Sequence, residues 1–99
     1  MSEKTTLIVT ATPNPKEMES VQDYLQGVLP LFLGAGGKLV KRLKVSEIIR
    51  GNSSGMVLVM DFDSDKAITE LFESNEYAAL IPVRDRGFAE MNILVTHEM

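Results

Sequence analysis

Apolar and polar positions along this 99-residue chain alternate between two periods, close to two and close to 3.6, and the switches divide it into six blocks. Leu7-Ile8-Val9-Thr10-Ala11-Thr12 is a β-branched run that ends at Pro13-Asn14-Pro15, as a strand passing into a turn does. A helix follows. Asn14 can cap it, Pro15 suits a first helical position, and Glu17 and Glu19 lie near the positive end of its dipole. Met18, Val21, Leu25, Val28, Leu29 and Phe32 then recur at intervals of three and four and predict one apolar stripe. Pro30 is expected to kink or tighten the last turn, and Gly34-Ala35-Gly36-Gly37 to stop the helix.

Residues 38–50 alternate imperfectly, with Leu39, Leu43, Val45, Ile48 and Ile49 apolar, and predict a long, partly exposed strand with a bulge where the phase changes. Gly51-Asn52-Ser53-Ser54-Gly55 reads as a hairpin loop. Met56-Val57-Leu58-Val59-Met60 is apolar at every position, as a strand buried on both sides would be. Ser64, or Asp63 before it, caps a second helix with Ala67, Ile68, Leu71 and Phe72 on its inward face. Ser74-Asn75-Glu76-Tyr77 starts a further helical turn or two that Pro82 is expected to end near Ile81, and residues 88–96 close the chain as a strand.

Strand, helix, strand, strand, helix, strand is the ferredoxin-like βαββαβ order, an α+β fold with a four-stranded antiparallel sheet, here in one domain spanning residues 1–99. In that fold the first and third strands are central, and those are the two that read as apolar on both faces. Two helices can cover only one face. The other face predicts a homodimer in which two sheets pack against each other, with either Val57 and Val59 or Leu58 and Met60 toward the partner, because successive strand residues point to opposite sides.

Composition adds constraints. Without cysteine there is no disulfide framework, thiolate nucleophile or cysteine-based metal site, which suits a reducing cytoplasm. Apolar runs at 28–33 and 56–60 fall far short of the roughly 18–20 residues of a membrane span, and the N-terminus lacks a basic-then-apolar signal pattern, so no membrane partner is expected. The net charge of -4 is uneven: residues 1–50 hold seven Lys and Arg against five Asp and Glu, and residues 51–99 hold three against nine. The basic cluster Lys38, Lys41, Arg42 and Lys44 has no interleaved aromatics and splits over two strand faces. It reads as protection of an edge strand rather than as a nucleic-acid surface.

Candidate chemistry is sparse. Gly34-Ala35-Gly36-Gly37-Lys38 has the glycines and lysine of a phosphate loop, but a helix precedes it, a strand follows, and Leu39 stands where a hydroxyl is needed. His97 is the only histidine, so a multi-histidine metal site within one chain is excluded. It is expected to be a solvated side chain, or a general base at a dimer junction. Asp61 and Asp63 share a strand face and could divide acid and base roles, although Asp63 and Asp65 also suit a helix N-terminus. An inward Asp61 would need a donor such as Arg42 or Arg84. Met18, Met56, Met60 and Met91 read as core filling, and methionine also lines adaptable pockets. No cofactor loop is recognisable.

Gly36-Gly37-Lys38, Arg42, Glu47 and Gly51, then Met60-Asp61-Phe62-Asp63-Ser64, then Ser74-Asn75-Glu76-Tyr77 with Arg84 seven residues on, resemble in order and spacing the motifs of the bacterial DUF1330 family, a domain of unknown function in the dimeric α/β-barrel superfamily. The likeness runs from the first strand to about Arg84. Leu43-Lys44 stands in place of that family's usual glycine pair, Asp63 and Asn75 in place of prolines, and Leu71-Phe72 in place of the common Trp-Tyr. The resemblance implies a dimer and no reaction. It is compatible with a module that binds a small anionic or aromatic metabolite in a sheet–helix cleft, with a cofactor-free monooxygenase-like or isomerase-like enzyme, since the superfamily includes these, and with a dimerisation domain that takes no ligand. The binding module is the leading reading. Its site is expected to centre on Tyr77 and Arg84, with Arg42, Glu47 and Asp61 as companions. Pro82 is expected to end the helix and place Arg84 in a loop, where a guanidinium can fork onto a carboxylate.

Overall fold

The computed structural model describes residues 5–52 and 55–99. Four strands, β1 (Thr5–Pro13), β2 (Lys38–Lys44), β3 (Met56–Phe62) and β4 (Phe88–Thr96), form one antiparallel sheet in the order β2-β3-β1-β4. β1 and β3 are therefore central and the basic β2 is an edge. A 3-10 turn at Pro15–Glu17 leads into α1 (Met18–Gly34), and α2 (Asp65–Phe72), α3 (Asn75–Ala78) and α4 (Ile81–Gly87) fill the connection from β3 to β4. The sheet is open, not closed into a barrel, within one chain.

Register decides which side chains meet the helices. Leu7, Val9 and Ala11 of β1 pair with Met60, Leu58 and Met56 of β3 and look toward α1, and Leu7, Ala11 and Met60 are buried. Val21, Tyr24, Val28 and Phe32 of α1 meet them, with Ile68 and Leu71 of α2. Ile8, Val57, Val59 and Leu94 point the other way, so of the two alternatives it is Val57 and Val59 that lie on the uncovered face. No described helix is long and apolar enough to cross a membrane.

Local signals act largely as expected. Asn14 accepts from Lys16 N at 3.0 Å and caps the 3-10 turn, Ser64 Oγ accepts from Ala67 N at 3.2 Å, and Gly36 turns the chain with a φ of 88°. The bulge in β2 falls at Val40, where the register with β3 shifts between Leu39 and Lys41.

Three expectations change. β2 ends at Lys44 instead of running to residue 50, because Lys44 already faces Met56, the first residue of β3, and nothing beyond remains to pair with. The bond from Val45 N to Gly55 O, 2.9 Å, closes the ladder. Residues 45–52 belong instead to a longer loop, and Ser53 and Ser54 of the expected hairpin lie outside the described residues. Met18 leaves the apolar stripe and is exposed. Pro82 does not end a helix but begins one: α3 stops at Ala78, and Pro82 sits in the first turn of α4, where a missing N–H costs nothing. Arg84 is thus helical, its N–H bonded to Leu80 O at 2.8 Å.

Candidate functional site

A helix with its side chains is about 10–12 Å across, whereas four strands spaced about 4.8 Å apart spread over roughly 14 Å. α1 is the one long helix on its face, and it leaves part of the sheet uncovered. The result is a cavity of about 470 Å³ between α1 and the sheet. Tyr24, Val28 and Phe32 of α1 form one wall, and Val9, Leu58 and Ile93 of the sheet form the opposite one. Phe72 and Phe88 also line it. Arg42 and Lys44 lie on its β2 side, two residues apart and paired in register with Leu58 and Met56, so both are on the helix-facing side of the strand. Among the described residues neither is in an ion pair with a carboxylate. The cavity is thus an apolar, aromatic chamber with two cations at one rim.

All six aromatic residues of the chain belong to one edge-to-face series. Phe62 meets Phe32 at 6.3 Å between ring centroids, Phe32 meets Phe72 at 6.0 Å, and Phe72 meets Tyr77 at 4.7 Å. Tyr77 then meets Tyr24 at 6.3 Å, and Tyr24 meets Phe88 at 5.5 Å. Such pairs add stability beyond area burial and hold rings in one orientation. The aromatic wall therefore exists even with Leu71-Phe72 in place of Trp-Tyr.

Polar chemistry enters through a chain of three side chains. Arg84 Nη1 donates to Tyr77 Oη at 3.0 Å, and Tyr77 Oη lies 2.9 Å from Tyr24 Oη. Ser74 sets the first link by joining two helices: its hydroxyl donates to Leu71 O at 2.6 Å and accepts from Tyr77 N at 3.1 Å. Arg84 is further held by Asp85, Nε to Oδ1 at 3.1 Å, and its guanidinium carbon lies 5.8 Å from the Tyr77 ring centroid. Desolvation by burial pushes the Tyr24 pKa well above that of an ordinary phenol, so its hydroxyl stays protonated. Desolvation works against the Arg84 charge, but the bonds to Tyr77 and Asp85 more than offset it and its pKa is raised.

Of the five expected site residues, the fold brings Tyr77 and Arg84 together and puts Arg42 on the cavity rim. Tyr77 is fully buried and does not line the cavity, but it touches two residues that do, Tyr24 through its hydroxyl and Phe72 through its ring. Arg84 lines a second depression of about 420 Å³ with Asp85 and Glu90, and Phe88, Met91 and Ile93 border both spaces. Glu47 is exposed in the loop after β2. Asp61 lies on the face of the sheet away from the helices, where it accepts from the Thr6 hydroxyl at 2.8 Å and faces Lys38 in register. Tyr24 is the residue that the sequence reading missed. Val21, Tyr24, Val28 and Phe32 are spaced three, four and four apart, and that spacing alone would have placed it on the inward stripe.

His97 is not simply solvated. Its Nε2 lies 2.7 Å from Asp65 Oδ1, which also accepts from the Thr5 hydroxyl at 2.6 Å. These two bonds, Thr5 first, hold the Asp65 carboxyl below the usual aspartate range and tie the end of β4 to the start of α2. Among the described residues no three His, Asp or Glu are grouped to hold a metal ion.

Solved structures with this fold share little sequence with the chain. A protein of unknown function from Rhodopseudomonas palustris superposes with a TM-score of 0.83 at 14% identity, covering 100% of this chain and 85% of its own. A dimeric protein of unknown function with a ferredoxin-like fold, from Bacteroides fragilis, gives 0.63 at 10% identity, with 96% of each chain covered. A protein from Caulobacter crescentus, provisionally described as an antibiotic biosynthesis monooxygenase, gives 0.72 at 9% identity, covering 99% and 92%. At these identities the likeness is one of fold. No curated protein matches the chain. The motif order from Gly36 to Arg84, now placed on a ferredoxin-like sheet, agrees with the match of a family model over residues 5–99, and the chain belongs to the DUF1330 family, a domain of unknown function.

Proposed function

We propose that this protein binds a small, mostly apolar acid in the cavity between α1 and the sheet, and that it does so as a homodimer. The observation that carries this reading is an aromatic cavity of about 470 Å³ with Arg42 and Lys44 on one rim. Pockets of about 300–1,000 Å³ with apolar walls and a few placed polar groups are typical of small-molecule sites. The walls suit a flat ring and the two cations suit a carboxylate. The dimer is supported by the dimeric B. fragilis neighbour and by the uncovered face bearing Ile8, Val57, Val59 and Leu94. A cytoplasmic location belongs to the same proposal, supported by the absence of cysteine.

A cofactor-free enzyme of monooxygenase or isomerase type is the second reading. It is favoured by the hydrogen-bonded chain from Arg84 to Tyr24 and by the provisional description of the C. crescentus neighbour. A protonated Tyr24 can donate but cannot take a proton from a substrate, which favours binding over proton abstraction.

Native mass spectrometry of freshly purified protein, followed by calorimetric titration with 2-naphthoate, tests the proposal. Retention of a small acid, or saturable naphthoate binding weakened roughly three- to tenfold by Arg42→Met, is the expected result, since an exposed charge contributes modestly. Conversion of a retained molecule on incubation would support the enzyme instead. A folded dimer that neither retains a molecule nor binds naphthoate would leave the ligand-free dimerisation domain.

A further inference from the structure

The direction of the hydrogen bonds at Tyr77 constrains what the cavity accepts. A guanidinium N–H can only donate, so the 3.0 Å contact from Arg84 Nη1 makes Tyr77 Oη an acceptor there. The second contact, 2.9 Å to Tyr24 Oη, could run either way. If Tyr24 donated, the Tyr77 proton would have no acceptor among the described residues, in a side chain only 2% exposed. An O–H buried without a partner is costly. If Tyr77 donates, every group is satisfied except the Tyr24 proton, and Tyr24 is the member of the chain that lines the cavity.

We infer that Arg84 and Tyr77 orient the Tyr24 O–H so that its proton is offered to the cavity occupant, which must therefore carry an acceptor oxygen, a carbonyl or phenolate, in addition to the acid group read by Arg42. The inference rests on the cavity reading above and narrows its ligand class. Tyr24 is the residue that touches the ligand, and Tyr77 and Arg84 are positioning residues. Because the chain starts at a cation, it strengthens the terminal donor and favours electron-rich oxygens. A bare hydrocarbon of the same shape leaves that donor unpaired.

Two neutral probes of matched size separate these effects: 2-acetylnaphthalene, which carries a carbonyl, and 2-ethylnaphthalene, which does not. The wild-type dimer should bind the ketone more tightly than the hydrocarbon by roughly three- to tenfold, the value of one hydrogen bond. Its carbonyl stretch should move to lower wavenumber on binding. Tyr24→Phe keeps the ring, and should bring the affinity ratio close to one and return the stretch to its apolar-solvent position. Arg84→Met should reduce both the ratio and the shift without abolishing hydrocarbon binding. A ratio and a stretch unaffected by Tyr24→Phe would overturn the inference and leave the cavity reading standing. If neither probe nor naphthoate binds the wild-type protein, the cavity reading falls and this inference falls with it.

Discussion

Gly87 lies where α4 packs tightly against α1. A Cβ placed there would lie 2.9 Å from Val21 N and 3.0 Å from Ser20 C, both backbone atoms that cannot rotate away. The same residue's carbonyl accepts from Asn14 N at 2.8 Å, which fixes the turn after β1. Gly87→Ala should therefore force the two helices apart at a cost of about 1–3 kcal/mol, as overpacking does. For a domain of this size that lowers the thermal midpoint by roughly 5 °C or more, read by circular dichroism. An unchanged midpoint would show that the interface has slack. The consequence reaches the site, because α4 carries Arg84 and α1 carries Tyr24.

Short helices need their ends satisfied, since α3 has only four residues and few bonds of its own. Ser74 provides this by bonding backward to Leu71 O and forward to Tyr77 N. Ser74→Ala removes both links and should cost about 1 kcal/mol, the usual worth of such a cap. It should also loosen Tyr77 and so weaken the Arg84–Tyr77–Tyr24 chain. Paired measurements of thermal midpoint and of the 2-acetylnaphthalene carbonyl stretch check the link. A lower midpoint with an unaltered stretch would mean that the ring is held by Phe72 and Tyr24 packing alone.

At the scale of the whole molecule, the sheet presents two unlike faces. One is covered by α1 and encloses the cavity, and the other carries Ile8, Val57, Val59 and Leu94 with Thr6, Thr10 and Thr12 between and beside them. Standard interfaces bury roughly 1,200–2,000 Å² in total, and even the apolar part, at about 25 cal/mol per Å², would be a large share of the stability of a small domain. Val59 lies between Ile8 and Lys41 in the sheet, near the middle of that face. Val59→Glu should leave the cavity side untouched and convert the proposed dimer into a monomer of lower thermal stability, as seen by sedimentation velocity at micromolar concentration. A Val59→Glu protein that still sediments as a dimer would mean that another surface joins the copies.

Local physics made much of the fold legible. The apolar run at 56–60 and the β-branched run in β1 read as central strands because no alternation marks a solvent side, and the sheet order places both inside. Ser64, Ser74 and Gly36 act through neighbours within three residues, so their caps and turn could be read directly. Pro82 could not, since a proline that cannot continue one helix is equally suited to begin the next, and only the packing of α4 on α1 selects the second role. The face occupied by Asp61 depends on strand register, where a shift of one residue exchanges the two sides of the sheet. Tyr24 and Tyr77 are 53 residues apart in sequence, and Arg84 is linked by hydrogen bonds to the cavity-lining Tyr24 through Tyr77. Residue types and helical spacing announce a tyrosine and an arginine on helices; which hydroxyl each one touches, and hence where a proton is free to point, is set by how α1 packs across α3 and α4.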